Sequence, residues 1–181
     1  MKCKLCGKKY PEPDIVDEIT YYVCSNCGNV LEIQKVDMQP AIKFERIWED
    51  DSLVELEIKV NTADSIFSNT IYTTREELKE LVELSNRFRN WQHNGLMDID
   101  FGKFGYEIAN GAFHARLHSP KPGSLYITTN QQSEYFEFKE QKVANEAKMF
   151  LKTTVEYFDE FLAQFDKFSK GTISEVKLIC T

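Results

Sequence analysis

The stretch LVELEIKV, residues 53–60, decides the fold class of most of this 181-residue chain. Its apolar and charged side chains alternate with a period of two, so the apolar ones share one face of an extended strand. Glu55 and Glu57 lie on the other face, together with Lys59. One buried face and one solvated face are typical of a strand in an antiparallel sheet. The stretch therefore predicts an antiparallel sheet with one side toward solvent.

The second half of the chain has the same pattern. Alternation recurs at residues 97–101, 113–118 and 134–138, and residues 148–152 and 173–179 are candidates for two further strands, the second being the last. Residues 119–123 read Ser-Pro-Lys-Pro-Gly, which predicts a turn, and residues 124–128 return from that turn as the partner strand.

Two segments have helical periodicity instead. Residues 74–77, Thr-Arg-Glu-Glu, form a capping-box motif, and apolar residues follow at helical spacing as far as Trp91. Residues 153–156 repeat the start signal, an apolar stripe rich in phenylalanine follows, and Gly171 ends the helix. We interpret that stripe as core. The body of the chain is thus predicted to be an α+β domain, in which an antiparallel sheet packs with two helices.

The two predicted helices begin in the same way. Each follows a strand that ends in a pair of threonines, Thr73-Thr74 in one case and Thr153-Thr154 in the other, and each has an acidic first turn. The likeness indicates either a weak internal repeat or only the common way of starting a helix after a strand.

Four of the five cysteines form two Cys-x-x-Cys-Gly motifs near the N-terminus, at Cys3 and Cys6 and at Cys24 and Cys27. Two residues between the cysteines let both sulfurs point to one centre, and the following glycine permits a positive φ that turns backbone N–H groups toward the sulfurs. Two such pairs supply four sulfurs for one tetrahedral zinc ion. A redox dithiol pair or an iron–sulfur cluster is the alternative use. Cys180 is interpreted as a spare thiol at the end of a strand.

This pattern, with predicted strands at 19–23 and 30–33, resembles the zinc-ribbon family. The resemblance implies one structural zinc ion per chain, since four cysteines leave no open coordination position for water or substrate. We expect residues 1–36 to form the ribbon, 37–42 a linker interrupted by Pro40, and 43–181 the α+β domain.

The charge distribution narrows the choice of partner. Residues 1–36 are neutral, whereas residues 37–181 carry 17 basic and 24 acidic residues and hence the whole net charge of −7. An acidic body argues against nucleic acid and favours a basic protein partner. The sequence has neither an apolar run of about 20 residues nor a secretory pattern at Met1, so we expect a cytoplasmic protein without a membrane segment.

Catalytic motifs are absent from the sequence, and we do not expect an enzyme. The polar face of strand 113–118 carries His114, Arg116 and His118, and that of strand 97–101 carries Asp98 and Asp100. If the two strands are neighbours, these groups can pair across them. An enzyme that uses this face is one alternative, and a deep pocket in which the side chains converge on an aspartate would favour it.

Six short stretches mark the predicted strands and helix starts of the body in chain order. They are Leu56-Glu57-Ile58, Ile71-Tyr72-Thr73-Thr74, Asp100-Phe101-Gly102, Phe113-His114-Ala115-Arg116-Leu117, Gly123-Ser124-Leu125-Tyr126-Ile127 and Val155-Glu156-Tyr157-Phe158. This order is similar to that of the small bacterial WapI-like immunity proteins, over about residues 43–168. The resemblance implies a cytoplasmic inhibitor that neutralises a toxin by binding it, and it carries over no functional residue.

We therefore expect a protein-binding module whose partner is a basic toxin domain. The candidate contact surface is the acidic face with Glu55, Glu57, Asp98 and Asp100, because many such toxins are basic nucleases. The other alternative is a nucleic-acid or transcription-associated zinc-ribbon protein, which a basic patch on the folded surface would favour.

Overall fold

The computed structural model describes residues 2–3, 5–8, 14–16, 19–35, 39–90, 95–105 and 110–181, with the backbone alone for 14–16, 19–21 and 31–35. The chain divides into two compact units, Met1–Met38 (unit 1) and Gln39–Thr181 (unit 2). No helix in the described part of the chain combines the length and the apolar character that crossing a bilayer requires.

Unit 1 contains a three-stranded antiparallel sheet in the order β1-β2-β3. Its strands are β1 (Asp14–Val16), β2 (Ile19–Val23) and β3 (Val30–Lys35). The two strands predicted beside the second cysteine pair, at 19–23 and 30–33, are thereby confirmed.

The described residues of unit 2 form ten strands and two helices. In chain order they are β4 (Ala41–Glu49), β5 (Val54–Asn61), β6 (Ile66–Thr73), α1 (Arg75–Arg89), β7 (Gly95–Gly102), β8 (Ala112–Lys121), β9 (Ser124–Gln132), β10 (Phe136–Phe138), β11 (Gln141–Val143), β12 (Glu146–Thr154), α2 (Val155–Ser169) and β13 (Glu175–Ile179). The predicted α+β class is confirmed, with two four-stranded antiparallel sheets in place of one.

Both helices begin where the sequence indicated. Thr74 caps α1 in a capping box with Glu77, and the Thr154 hydroxyl accepts a hydrogen bond from the Tyr157 N–H at the start of α2. After α2, Gly171 adopts a φ of 76°, a left-handed conformation that a side chain would disfavour, and this turn ends the helix. Trp91, predicted to continue α1, lies outside the described residues.

The two four-stranded sheets of unit 2 have the same topology. Sheet I has the order β13-β4-β5-β6 and sheet II the order β7-β8-β9-β12. Strands β4, β5 and β6 of sheet I lead into α1, and strands β8, β9 and β12 of sheet II lead into α2. Each helix has 15 residues, and the strand that follows it pairs in the other sheet. Strand β7, after α1, thus pairs in sheet II, and β13, after α2, pairs in sheet I. This shared topology favours the internal repeat over a chance likeness of two helix starts.

One core fills the space between the sheets and the helices. Its centre is a group of phenylalanines from two strands and one helix: Phe44 of β4, Phe113 of β8 and Phe161 and Phe165 of α2. The Phe44 ring centroid lies 5.8 Å from that of Phe113 and 6.0 Å from that of Phe165. The interpretation of the phenylalanine stripe as core is therefore confirmed.

A buried polar junction also joins the two sheets. Asn69 of β6 donates from Nδ2 to the carbonyl oxygens of Ala112 and Gln132, at 3.2 Å each. Its Oδ1 accepts from Gln131 Nε2 at 2.7 Å. Gly111 passes so close that an added Cβ would lie 2.4 Å from the Thr70 carbonyl oxygen. Buried amides cost stability unless they are hydrogen-bonded, so these bonds fix how the sheets meet.

Strand β4 corrects the predicted linker. Ala41 and Ile42, which the sequence placed in a linker over 37–42, are buried and open β4 next to the centre of sheet I. The pairing of β4 with β5 shifts between Arg46 and Trp48, so the strand's alternation breaks halfway. Residues 37 and 38 lie outside the described residues.

Candidate metal centre and candidate binding surface

The two cysteine pairs fold into two knuckles with the same backbone geometry. In the first, the Gly7 N–H donates to the Cys3 carbonyl at 2.8 Å, and in the second, the Gly28 N–H donates to the Cys24 carbonyl at 2.8 Å. The two glycines have φ values of 71° and 66°, as the motif predicted. Each knuckle is closed by a second bond, in which its first cysteine N–H donates to the carbonyl of Lys8 or Asn29.

These knuckles bring four sulfurs together. The Sγ atoms of Cys3, Cys6, Cys24 and Cys27 all lie within 4.8 Å of one another. The Sγ atoms of Cys3 and Cys27 are 3.7 Å apart and those of Cys6 and Cys24 are 3.4 Å apart. Four thiolates about 2.3 Å from a tetrahedral zinc ion are separated by about 3.8 Å. The cluster therefore fits one metal ion such as zinc.

The pKa values of the clustered thiols depend on backbone N–H groups and on the neighbouring sulfurs. The backbone N–H groups of Asn26 and Cys27 lower the pKa of the Cys24 thiol. The Asn29 N–H lowers the pKa of Cys27 as well, but the neighbouring cysteine sulfurs and burial outweigh it and raise that pKa to about 12. Neighbouring thiolates repel one another, and a bound cation would remove that repulsion.

The fifth cysteine, Cys180, belongs to unit 2 and is not one of the four clustered cysteines. It directly follows β13, as predicted, and its side chain is buried within unit 2. Its Sγ lies 3.6 Å from the Leu178 carbonyl oxygen, and burial raises the pKa of the thiol to about 12. A thiol of this kind is a poor nucleophile.

The predicted pairing of strands 97–101 and 113–118 is confirmed, because β7 and β8 are antiparallel neighbours. Arg116 binds Asp98 through two parallel bonds, from Nε to Oδ1 at 2.7 Å and from Nη2 to Oδ2 at 3.0 Å. His114 Nε2 lies 3.1 Å from Asp98 Oδ1 and 3.9 Å from Asp100 Oδ1. The Arg116 guanidinium is the main reason why the pKa of Asp98 lies below its ordinary value.

Both ring nitrogens of His114 have partners. Its Nδ1 lies 3.3 Å from the amide Nδ2 of Asn130, which can only donate, so Nδ1 accepts and Nε2 carries the proton toward Asp98. Hydrogen bonds on both sides of the ring hold it in place. A cavity of about 580 Å³ lies beside it, bordered by Asp100, Phe104 and Lys148 among others.

The outer face of sheet II, the side opposite the core, also carries large apolar side chains. Leu96 on β7 is 63% exposed and Phe150 on β12 is 69% exposed, and Tyr126 on β9 is 43% exposed. The strand register places these residues in two adjacent rows, one of which also holds His118 and the other Asp98 with Arg116. Apolar and charged groups therefore alternate over one exposed surface.

The four acidic residues of the candidate contact surface occupy two sheets. Glu55 and Glu57 lie on β5 of sheet I, and Asp98 and Asp100 lie on β7 of sheet II. Glu57 accepts a hydrogen bond from Ser68 Oγ at 2.9 Å. The structure thus separates the predicted set into a sheet I pair and a sheet II pair. The large apolar side chains beside the second pair were missed in the sequence, although exposed leucine and phenylalanine at outward positions of alternating strands are a signal for them.

Comparisons with protein-family models, curated proteins and solved structures give no match to this chain. The likeness of the body to WapI-like immunity proteins therefore stays a prediction.

Proposed function

We propose that unit 2 acts by binding a basic protein and covering that protein's active site, as the resemblance to toxin-immunity proteins implies. The observation that carries the proposal is the outer face of sheet II, on which Leu96, Tyr126 and Phe150 are exposed beside Asp98 and Arg116. Exposed apolar side chains rimmed by charged ones are typical of protein interaction surfaces. The net charge of −7 would speed the approach of a basic partner.

Zinc has a structural role in this proposal. Cys3, Cys6, Cys24 and Cys27 would hold one zinc ion as a closed four-sulfur site, which offers no position for substrate. A sheet of three short strands has little apolar core, so metal binding would supply most of the folding free energy of unit 1, on the order of 10 kcal/mol. Whether this ion is zinc is tested by metal analysis of the purified chain.

The binding proposal is tested by capture with two forms of the purified chain. The native chain, fixed to a resin, should retain a basic protein from its host, and the double variant Tyr126→Ser, Phe150→Ser should retain much less of it, because apolar anchors dominate binding free energy. Leu53→Ser, which removes an exposed leucine just ahead of β5 in sheet I, is the matched control and should retain the native amount. Equal retention by the native chain and the double variant would contradict the proposal, as would recovery of nucleic acid alone.

An enzyme is the second candidate function, and the cavity beside His114 is the observation that favours it. Convergence of His114 and Arg116 on Asp98 is the arrangement that such an enzyme would use. Against it, both nitrogens of the His114 ring are already hydrogen-bonded, so this ring needs a rearrangement before it can take a proton from a substrate. Turnover of a small compound by the native chain, lost in the His114→Gln variant, would favour the enzyme over the binding protein.

A further inference from the structure

The chain leaves sheet II between β9 and β12 as a narrow arm. Strands β10 and β11 form a separate two-stranded antiparallel sheet. The arm is tied at its base, where the Ser133 N–H donates to the Asn145 carbonyl at 2.8 Å and the Asn145 N–H donates to Ser133 Oγ at 2.9 Å. It therefore continues the β9–β12 pair beyond the end of the sheet.

One face of the arm carries two exposed aromatic rings, and Lys139 Nζ lies 5.5 Å from the ring centroid of Phe138. Phe136 and Phe138 are two residues apart and so share a face, with 43% and 56% of their surface accessible. Val143 lies opposite Phe136, whereas Glu137 and Lys142 pair on the other face. A two-stranded hairpin is only marginally stable in water, and two exposed aromatic rings on it are a mark of a contact surface.

The tip of the arm has an unusual backbone. Lys139 and Glu140 form its two-residue turn, with φ values of 48° and 65°. Left-handed φ at both positions is the geometry that asparagine and glycine normally supply, whereas lysine and glutamate adopt it at a cost. Backbone strain of this kind persists where a segment serves something other than stability.

A cleft of about 550 Å³ lies between the arm base and sheet I. One side is formed by Glu57, Ser68 and Thr70, and the other by residues 133–136 with Asn145. Among the described residues that line it are the carboxylates of Glu57 and Glu134, an exposed aromatic ring at Phe136, and neither lysine nor arginine. A guanidinium in this cleft could pair with the two carboxylates and stack on the aromatic ring, and no lysine or arginine among the described lining residues takes that place.

We propose that the arm and this cleft bind an extended, arginine-bearing segment of a basic protein. An arginine of the segment pairs with Glu57 and Glu134 and stacks on Phe136, and an apolar side chain two residues along covers Phe138. Charge complementarity supports a basic segment as the ligand, because residues 134–146 carry four acids and two lysines, within a chain of net charge −7. The inference rests on the proposed protein-binding function and adds to it the place and chemistry of one contact.

The test is a titration of the full-length, metal-loaded chain with the peptide acetyl-Thr-Arg-Thr-Val-Thr-amide, whose valine lies two residues after its arginine, followed by amide NMR. Saturable shifts should appear at residues 57, 68–70 and 133–138. The variants Phe136→Ser and Glu134→Gln should each weaken binding about tenfold, as expected for an anchor ring or a paired charge. Glu137→Gln removes the same charge from the opposite face of the arm, so it should change the affinity less than about twofold.

Unshifted amides outside the arm show that each variant is folded. Absence of peptide binding at millimolar concentration, shifts located elsewhere, or equal affinity for the native chain and Phe136→Ser would each overturn the inference. Different results would refute the peptide site on the arm and the proposed protein-binding function. If the native chain still retains a basic protein on the resin but arm variants retain it equally well, the arm is refuted and protein binding stands. If the sheet II double variant retains as much protein as the native chain, the proposed function itself is contradicted.

Discussion

Replacing Asn69 with alanine should loosen the junction between sheets I and II, because this one side chain makes three hydrogen bonds there. Two run from Nδ2 to the Ala112 and Gln132 carbonyls, and one from Gln131 Nε2 to Oδ1. Asn69 is only 6% exposed, so water does not readily replace the lost partners. At about 1 kcal/mol net per bond, and with a small cavity in addition, the free energy of unfolding should fall by about 3 to 4 kcal/mol.

Urea denaturation followed by circular dichroism measures this change, and the melting temperature should fall by about 10 °C. Ser68→Ala is the matched control, because Ser68 is the preceding residue on β6 and its hydroxyl bonds to a partly exposed carboxylate. That variant should lose about 0.5 kcal/mol or less. A loss below about 1 kcal/mol for Asn69→Ala would refute the view that this junction holds the sheets together.

Three further predictions concern a helix start, an ion pair and the metal centre. Thr154→Ala removes the cap of α2 and should cost about 1 kcal/mol in thermal denaturation, whereas Thr154→Ser should retain most of the stability. The Asp98–Arg116 pair lowers the pKa of Asp98 below its ordinary value of 3.8, so its contribution to stability is present above that pH and is lost as the pH falls through the lower, folded-state pKa. A carboxyl NMR titration of Arg116→Ala should therefore show the Asp98 pKa raised, and an unchanged value would argue against the pair. Metal analysis should find about one zinc per native chain and clearly less in Cys24→Ser; full zinc in that variant would exclude Cys24 as a ligand.

Local pattern was enough to identify the elements whose two faces differ. Strands β5, β7 and β8 each have one buried and one solvated face, so their alternation is visible in the sequence. Strand β4 was not identified, since the shift between Arg46 and Trp48 interrupts its period. The exchange of β7 and β13 between the sheets could not be predicted either, because a strand's own sequence does not state which neighbour it pairs with.

The same distinction applies to the candidate sites. The four clustered cysteines lie in two short motifs whose spacing alone fixes the geometry of each knuckle, so these candidate ligands could be named in advance. The cluster of Asp98, His114 and Arg116 was predicted on the condition that two strands are neighbours, which they are. The cleft was not predicted, because Glu57 and Phe136 come from distant parts of the chain and only the junction of the two sheets brings them to one place.

The proposed function is tested by measuring the activity of the basic protein that the resin-bound chain retained, while purified chain is added to that protein in solution. If the chain covers its partner's active site, this activity should fall to zero near one chain per partner molecule, and the Tyr126→Ser, Phe150→Ser variant should need a large excess to do the same. A partner that keeps its full activity in excess native chain would contradict the proposal that this chain works by covering another protein's active site.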